Sequence, residues 1–405
     1  MKNNGILLVL FFTTVMVNAQ ELQSYLEEAE ANNPEIQAYE LRYNIANEKV
    51  GAANALPNTT VSAGYFVSEP ETRTGAQRAK FSISQMLPWF GTITARENYA
   101  NSMAEADYLE LAIAKRKLAL TVAQSYYELY AIEAKKSILQ ANIQLLGTYE
   151  QLALTSVEVG KASVVDVLKL QIRQNELQQQ YAILNQEFLA ERARFNTLRN
   201  QKESLSVALV SELELPLEDP VLSNENLELN PELLKYDKMF ESVTQSEVLN
   251  QRESLPSIGV GLDYVPVSER TDMSFSDNGK DIVMPMLSFS IPIFNSSYRS
   301  ISKQNELKQM EIKSQKKQRL NILETALAQA VSLRNQARIA NATQQMNLQH
   351  SKDAEEILLK NYETGTIDFK EVLDIQELQL KFQINQIESI KLYYKQSTNI
   401  NYLIQ

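Results

Sequence analysis

The side chains that could do covalent or metal chemistry are few. The chain has 405 residues, no Cys and one His. Without thiols there are no disulfides, zinc-thiolate sites, thiol nucleophiles or lipidated N-terminal cysteine. The lone His350 falls in a helical stretch and reads as a surface residue, so neither a His-based metal site nor a catalytic triad is expected. Met284 and Met286 precede a strand and Met273 sits in a loop; they read as packing rather than a soft-metal relay. A hydrolase would need a nucleophile–base set, and none is credible. What remains is carboxylate. Glu371 and Asp374 lie six and nine residues after Gly365, three apart, so they share one helix face. Taken alone, such a pair reads as a solvated helix start, where acidic side chains suit the dipole. No cofactor is implied. With 50 acidic against 39 basic side chains and a net charge of -11, a nucleic-acid partner is not expected.

These residues need elements to hold them. Met1-Lys2, the apolar run Gly5 to Val17 and Val17-Asn18-Ala19 read as a secretory signal peptide over 1–19. No later run has the ~18 apolar residues of a spanning helix. Residues 89–215 and 293–405 are free of proline and rich in Leu, Ala, Gln, Glu and Lys, which predicts long helices. Leu111, Leu118, Ser125, Ile132, Leu139 and Leu146 keep a heptad spacing, with Val122, Leu129 and Ile143 as companions, as in coiled-coil packing. Long helices are predicted at Thr92–Val157 and Ser297–Tyr362, each about 100 Å at 1.5 Å per residue. Shorter ones are predicted at Leu22–Leu56, Ser163–Asn200, Leu227–Leu255 and Thr366–Ile404.

The sequence repeats at roughly 200 residues. Asn33-Pro34-Glu35 returns as Asn230-Pro231-Glu232, and Leu56-Pro57 as Leu255-Pro256. Gln85-Met86-Leu87-Pro88-Trp89-Phe90 has an echo in Phe289 to Phe294, and Gly160 through Leu168 returns as Gly365 through Leu373. This predicts an internal duplication, with a first structural repeat at 20–200, a linker or equatorial segment at 201–227 and a second repeat at 228–405. Each copy contains two strands, at about 59–68 and 79–88, then 257–267 and 282–293. Large apolar residues alternate with small or polar ones, as in Ile258, Val260, Leu262 and Tyr264 against Gly259, Gly261 and Asp263. That is the pattern of strands between lipid and a watery lumen. In the first copy Gln85 breaks the apolar face. Glu69 to Arg78 and Ser268 to Asp281 read as exposed loops. Trp89, at a strand end, suits either a membrane-interface anchor or a core position. Four membrane strands cannot close a barrel, so several chains must share one; three would give twelve strands.

With these features in place, the sequence resembles the TolC-type outer-membrane efflux channel family. The carriers are the duplicated unit, the Asn-Pro-Glu starts, Gln85 to Gly91, and two tip motifs. The tips are Val157-Glu158-Val159-Gly160 with Asp166-Val167-Leu168, and Tyr362-Glu363-Thr364-Gly365 with Glu371-Val372-Leu373-Asp374. The resemblance covers the mature chain. It implies a mainly α fold with membrane β-strands: a homotrimer with a 12-strand β-barrel in outer-membrane lipid and a periplasmic α-barrel of long coiled-coil-like helices. It implies docking to a periplasmic adaptor (membrane fusion) protein and an inner-membrane efflux pump, forming the exit duct of a tripartite efflux or type I secretion system. Substrate would pass passively, with no enzymatic step. The resemblance further implies that Glu371 and Asp374 line the channel constriction, where crowded carboxylates favour cations and some pKa values rise. Asp166 and Tyr362 would form the tip gate by hydrogen bonding, and Gly160 and Gly365 the adaptor-docking tips. The family's tip Arg has no counterpart among Thr366, Ile367 and Asp368; Lys161 and Lys370 are the nearby cations. The competing reading is a soluble periplasmic coiled-coil adaptor or scaffold without a pore.

Overall fold

Pro34 and Pro231 decide where two of the helices begin. Proline has no N–H to give a preceding turn and pushes the residue before it out of the helical region. In the computed structural model, which describes residues 21–158, 163–220, 224–272, 274–364, 366–367 and 369–404, the helix predicted at Leu22–Leu56 is therefore interrupted. Helix α1 covers 21–32 and α2 covers Pro34–Ala53, with Asn33 between them outside either helix. The Asn33 Oδ1 caps α2 by accepting from the amides of Glu35 (2.9 Å) and Ile36 (3.4 Å). Likewise the helix predicted at Leu227–Leu255 is a short 3-10 turn, Asn224–Leu229, followed by α5, Pro231–Glu253. The two Asn-Pro-Glu motifs do the same second job. Asn33 Nδ2 donates to the Leu198 carbonyl, and Asn230 Nδ2 to the Leu403 carbonyl, each at 2.9 Å. Each asparagine thus ties the end of a later helix, where carbonyls lack helical partners.

The other helices match the proline-free stretches. They are α3 (Thr92–Glu158), α4 (Val164–Leu198), α6 (Ser297–Glu363) and α7 (Phe369–Ile404); α3 and α6 have 67 residues each. The chain divides into two compact units. One takes the described parts of Met1–Ala38, Ala112–Asn230 and Leu320–Gln405; the other takes Tyr39–Leu111 and Pro231–Arg319.

In the first unit the heptad positions are core. Ser125, Ile132, Leu139 and Leu146 are buried, as are Val122 and Leu129. One cluster joins Leu139, Leu146 and Tyr149 of α3 to Val167, Leu170 and Leu177 of α4 and Phe369, Val372 and Leu380 of α7. Each fully buried Leu or Phe here is worth about 1.5–3 kcal/mol of transfer free energy. A second cluster gathers Tyr126, Leu129, Tyr130, Phe195 and Val210. It lies under the non-helical segment after α4. Tyrosine hydroxyls satisfy that segment's backbone: Tyr25 accepts from the amide of Ala208 (2.9 Å), Tyr126 from Val210 (3.2 Å) and Tyr130 from Leu213 (2.9 Å). Farther along, Asp219 is held by Arg338 (2.6 Å) and the Tyr393 hydroxyl (2.5 Å). Residues 208–219 are thus strapped to the helices.

The second unit carries a four-stranded antiparallel sheet. Its strands are β1 (Thr60–Tyr65), β4 (Ala79–Leu87), β5 (Ser257–Val265) and β6 (Ile282–Ser290), in the order β1-β4-β5-β6. The β1–β4 and β5–β6 hairpins pair with each other through β4 and β5, with Phe81 opposite Tyr264 and Leu87 opposite Ile258. The short strands β2 (Glu71–Thr72) and β3 (Gly75–Ala76) form a hairpin inside the first loop. That loop is zipped to the one between β5 and β6. Ser268 N donates to Ala76 O and Gly279 N to Thr74 O, both at 2.8 Å, and Arg270 reaches the Thr72 carbonyl.

Candidate channel wall and tip

The sheet register sorts the strand side chains, because directly opposed residues of an antiparallel pair project to one face. Val61 opposes Ile83, which opposes Leu262, which opposes Pro285. Ala63, Phe81, Tyr264 and Val283 form the next row; Gln85, Val260 and Leu287, then Leu87, Ile258 and Phe289, continue the face. This face is apolar across all four strands, and its side chains stand in the open: Val61 is 74%, Val283 61% and Leu287 65% exposed. The polar exception, Gln85, is satisfied. It accepts from the Thr59 hydroxyl at 2.5 Å and donates to the Pro57 carbonyl at 2.7 Å. The other face carries Ser82, Ser84, Gly259, Gly261, Asp263 and Ser288. Its charges are paired, with Lys80 Nζ 2.5 Å from the shielded Asp263 carboxylate. Met284 and Met286 also project there, opposite Asp263 and Gly261. Among the described residues the outer edges of β1 and β6 have no neighbouring strand.

The tip residues belong to the first unit. Glu371 and Asp374 are exposed in the opening turns of α7. Their helix start is set by Phe369, 1% exposed, whose ring meets Tyr362 (4.9 Å between centroids) and Tyr149 (5.8 Å), both edge to face. Asp374 lines a groove of about 690 Å³ with Lys169, Arg173, Lys370 and Glu377 on the rim and Leu146, Leu177 and Leu380 below. Lys370 therefore stands near the carboxylates, one residue before Glu371. Asp166 sits in the first turn of α4, behind the Ser163 cap, and pairs with Lys169 at 3.4 Å. Tyr362 packs against the tip cluster with its hydroxyl buried and without a hydrogen-bond partner among the described residues. Asp166 and Tyr362 are thus not bonded to each other within the chain. Gly160, Gly365 and Lys161, like the signal peptide and Met273, lie outside the described residues. His350 is exposed on α6, and Trp89 is half-buried beside Phe90.

Two polar assemblies escaped the sequence reading. At the tip, Glu355 of α6 accepts from Tyr149 (2.6 Å), from Gln379 (2.8 Å) and from Gln376, three neutral donors on α3 and α7. Burial, then the neighbouring Glu355, pushes the Tyr149 hydroxyl well above the ordinary tyrosine range. Farther up, α3 and α7 meet through charges. Glu128 takes Lys391 (2.9 Å) and Lys395 (3.1 Å), while Glu388 takes Lys135 and Lys391. Burial alone would raise the Glu128 carboxyl, yet the two lysines hold it below its usual value; Glu388 behaves likewise. Lys391 is raised: burial opposes its charge, but Glu388 and Glu128 outweigh that. The sequence signal was polar residues recurring every seven positions on α3, at Glu128, Lys135 and Asn142.

Residues 25–201 match the model of the outer membrane efflux protein family. No curated protein sequence matches. Solved structures share the fold over 95% of this chain. The outer-membrane channel OprN superposes with a TM-score of 0.77 at 17% identity, over 90% of its own chain. VceC of Vibrio cholerae gives 0.74 at 16% identity over 96%, and the Campylobacter jejuni CmeC outer membrane channel 0.75 at 15% over 85%. The family match lies in the first part of the chain, and these structures show that the fold is the one found in outer-membrane channels.

Proposed function

We propose that this chain is one third of a passive exit duct in the outer membrane, serving a tripartite efflux or type I secretion system. One observation carries the reading: an apolar sheet face left in the open, ending in two edges that are unpaired among the described residues. In hydrocarbon each unpaired backbone group costs several kcal/mol, so a lipid-facing sheet must close on itself. Four strands are too few; three copies supply twelve, and β1 of one chain then pairs with β6 of the next. The polar face, with Lys80 and Asp263, lines the lumen. The repeats at 20–200 and 228–405 each supply two strands and a long helix. The duct has no catalytic step; an inner-membrane pump supplies the driving force and a periplasmic adaptor joins the two, docking at the Gly160 and Gly365 tips. Glu371 and Asp374 form the constriction, six carboxylates about one axis in a trimer, and Asp166 and Tyr362 act at the gate. The unpartnered Tyr362 hydroxyl, buried within the subunit, supports a bond that forms only on opening. Outer-membrane fractionation followed by single-channel recording tests the reading. Cation-preferring conductance from the membrane fraction is expected; a protein recovered from the soluble fraction without conductance would overturn it.

A further inference from the structure

Between β4 and α3 the chain turns through Pro88-Trp89-Phe90-Gly91. Gly91 adopts φ +81°, and a Cβ there would come within 3.8 Å of the Arg252 guanidinium. The guanidinium therefore lies against the first turn of α3. Two positive ends meet at this point: Arg252 and the helix N-terminus, which carries roughly half an elementary charge. Among the described residues no carboxylate pairs with Arg252; the adjacent Glu253 is taken by Arg96 at 2.9 Å. The excess positive potential calls for an anion. A second, independent feature points the same way. Thr92, 1% exposed, has its hydroxyl buried with no hydrogen-bond partner. Thr92, Arg96, Arg252 and Tyr298 all line one cavity of about 400 Å³.

We infer that this cavity binds the phosphate of a membrane phospholipid headgroup. Arginine matches phosphate oxygens with paired donors, and a helix N-terminus adds amides and dipole. The lipid source follows from what flanks the cavity. Phe90 is 78%, Ile293 72% and Phe294 99% exposed, at the ends of β4 and β6 where the apolar sheet face stops. Acyl chains can lie along these side chains while the headgroup enters between the strand ends and α3. A free phosphate would gain nothing from them. The inference rests on the channel reading, since it needs that sheet face to meet lipid.

Native mass spectrometry of the full-length, detergent-solubilised protein tests it. The probes are dioleoylphosphatidylglycerol, the matched diacylglycerol and inorganic phosphate. Retained phosphatidylglycerol is expected, with diacylglycerol and inorganic phosphate at background. Arg252→Ala should lower occupancy about tenfold, the loss of one charge-assisted contact, and Thr92→Val about threefold. Arg299→Ala, off the cavity, should leave it unchanged. Equal retention of diacylglycerol, unchanged occupancy in both cavity variants with assembly mass intact, or inorganic phosphate that binds as well as the lipid would each overturn the assignment. Failure of the channel reading would show instead as a wild-type protein absent from the membrane fraction.

Discussion

Replacing Phe369 by Ala should unlock the tip without dismantling the subunit. Its ring is 1% exposed, wedged between Tyr149 and Tyr362 at the start of α7. Removing a buried phenyl costs about 3–5 kcal/mol, part transfer and part cavity. The surroundings are already committed: Tyr149 is held by Glu355, and Val372 and Leu170 are buried in the same cluster. Collapse into the void must therefore come from the first two turns of α7, which bear Glu371 and Asp374. If about 1.4 kcal/mol of the loss falls on the closed tip alone, the open population rises about tenfold. Planar-bilayer recording at fixed protein load should show higher basal conductance for Phe369→Ala, with Phe369→Leu close to wild type. Assembly mass should be unchanged. A lowered melting temperature with wild-type conductance would refute the idea that this ring holds the gate, leaving it a core residue only.

Other outcomes follow from the same geometry. Glu371→Gln with Asp374→Asn should weaken cation selectivity in planar bilayers; unchanged reversal potentials would remove these residues from the constriction. Gly75 adopts φ +132°, and a Cβ there would sit 1.7 Å from the Ser268 carbonyl oxygen. Gly75→Ala should therefore part the two zipped loops and expose them to protease; wild-type digestion kinetics would contradict that contact. The charged seam of α3 and α7 sets a pH window. Glu128 and Glu388 are depressed, so their stabilisation is complete above the ordinary glutamate range, about pH 4.5, and fades as pH falls through their lower folded values. Lys391 is raised, so its share holds below about pH 10.5 and fades above. Thermal melts should show a plateau between those limits that loses its acid shoulder in Glu128→Gln with Glu388→Gln; a shoulder of the same depth in that variant would rule the seam out.

The strands were legible because alternation survives translation into three dimensions. A period of two maps onto two faces whatever the partner, so Ile258 to Tyr264 could be assigned to one side before their neighbours were known. The heptads of α3 were legible for the same reason. The interruption at Asn33 was missed because the helical composition runs on through it, although Asn-Pro, read as cap and first helical residue, is a start signal. The Glu355 assembly was not readable: its donors, Tyr149, Gln376 and Gln379, come from two other helices, and no local pattern links them. The interlocked loops are hidden similarly, since polar turn residues do not reveal which loop they meet. At the tip, motif position located Asp166, but its partner within the chain is Lys169, the i,i+3 neighbour that any helix start offers.

The most direct measurement is the mass of the complex extracted from outer membranes in mild detergent, corrected for bound detergent. Three chains per particle are expected, because only then do the free margins of the sheet find partners. A particle containing one chain, stable and dispersed when detergent is withdrawn, would contradict the shared pore.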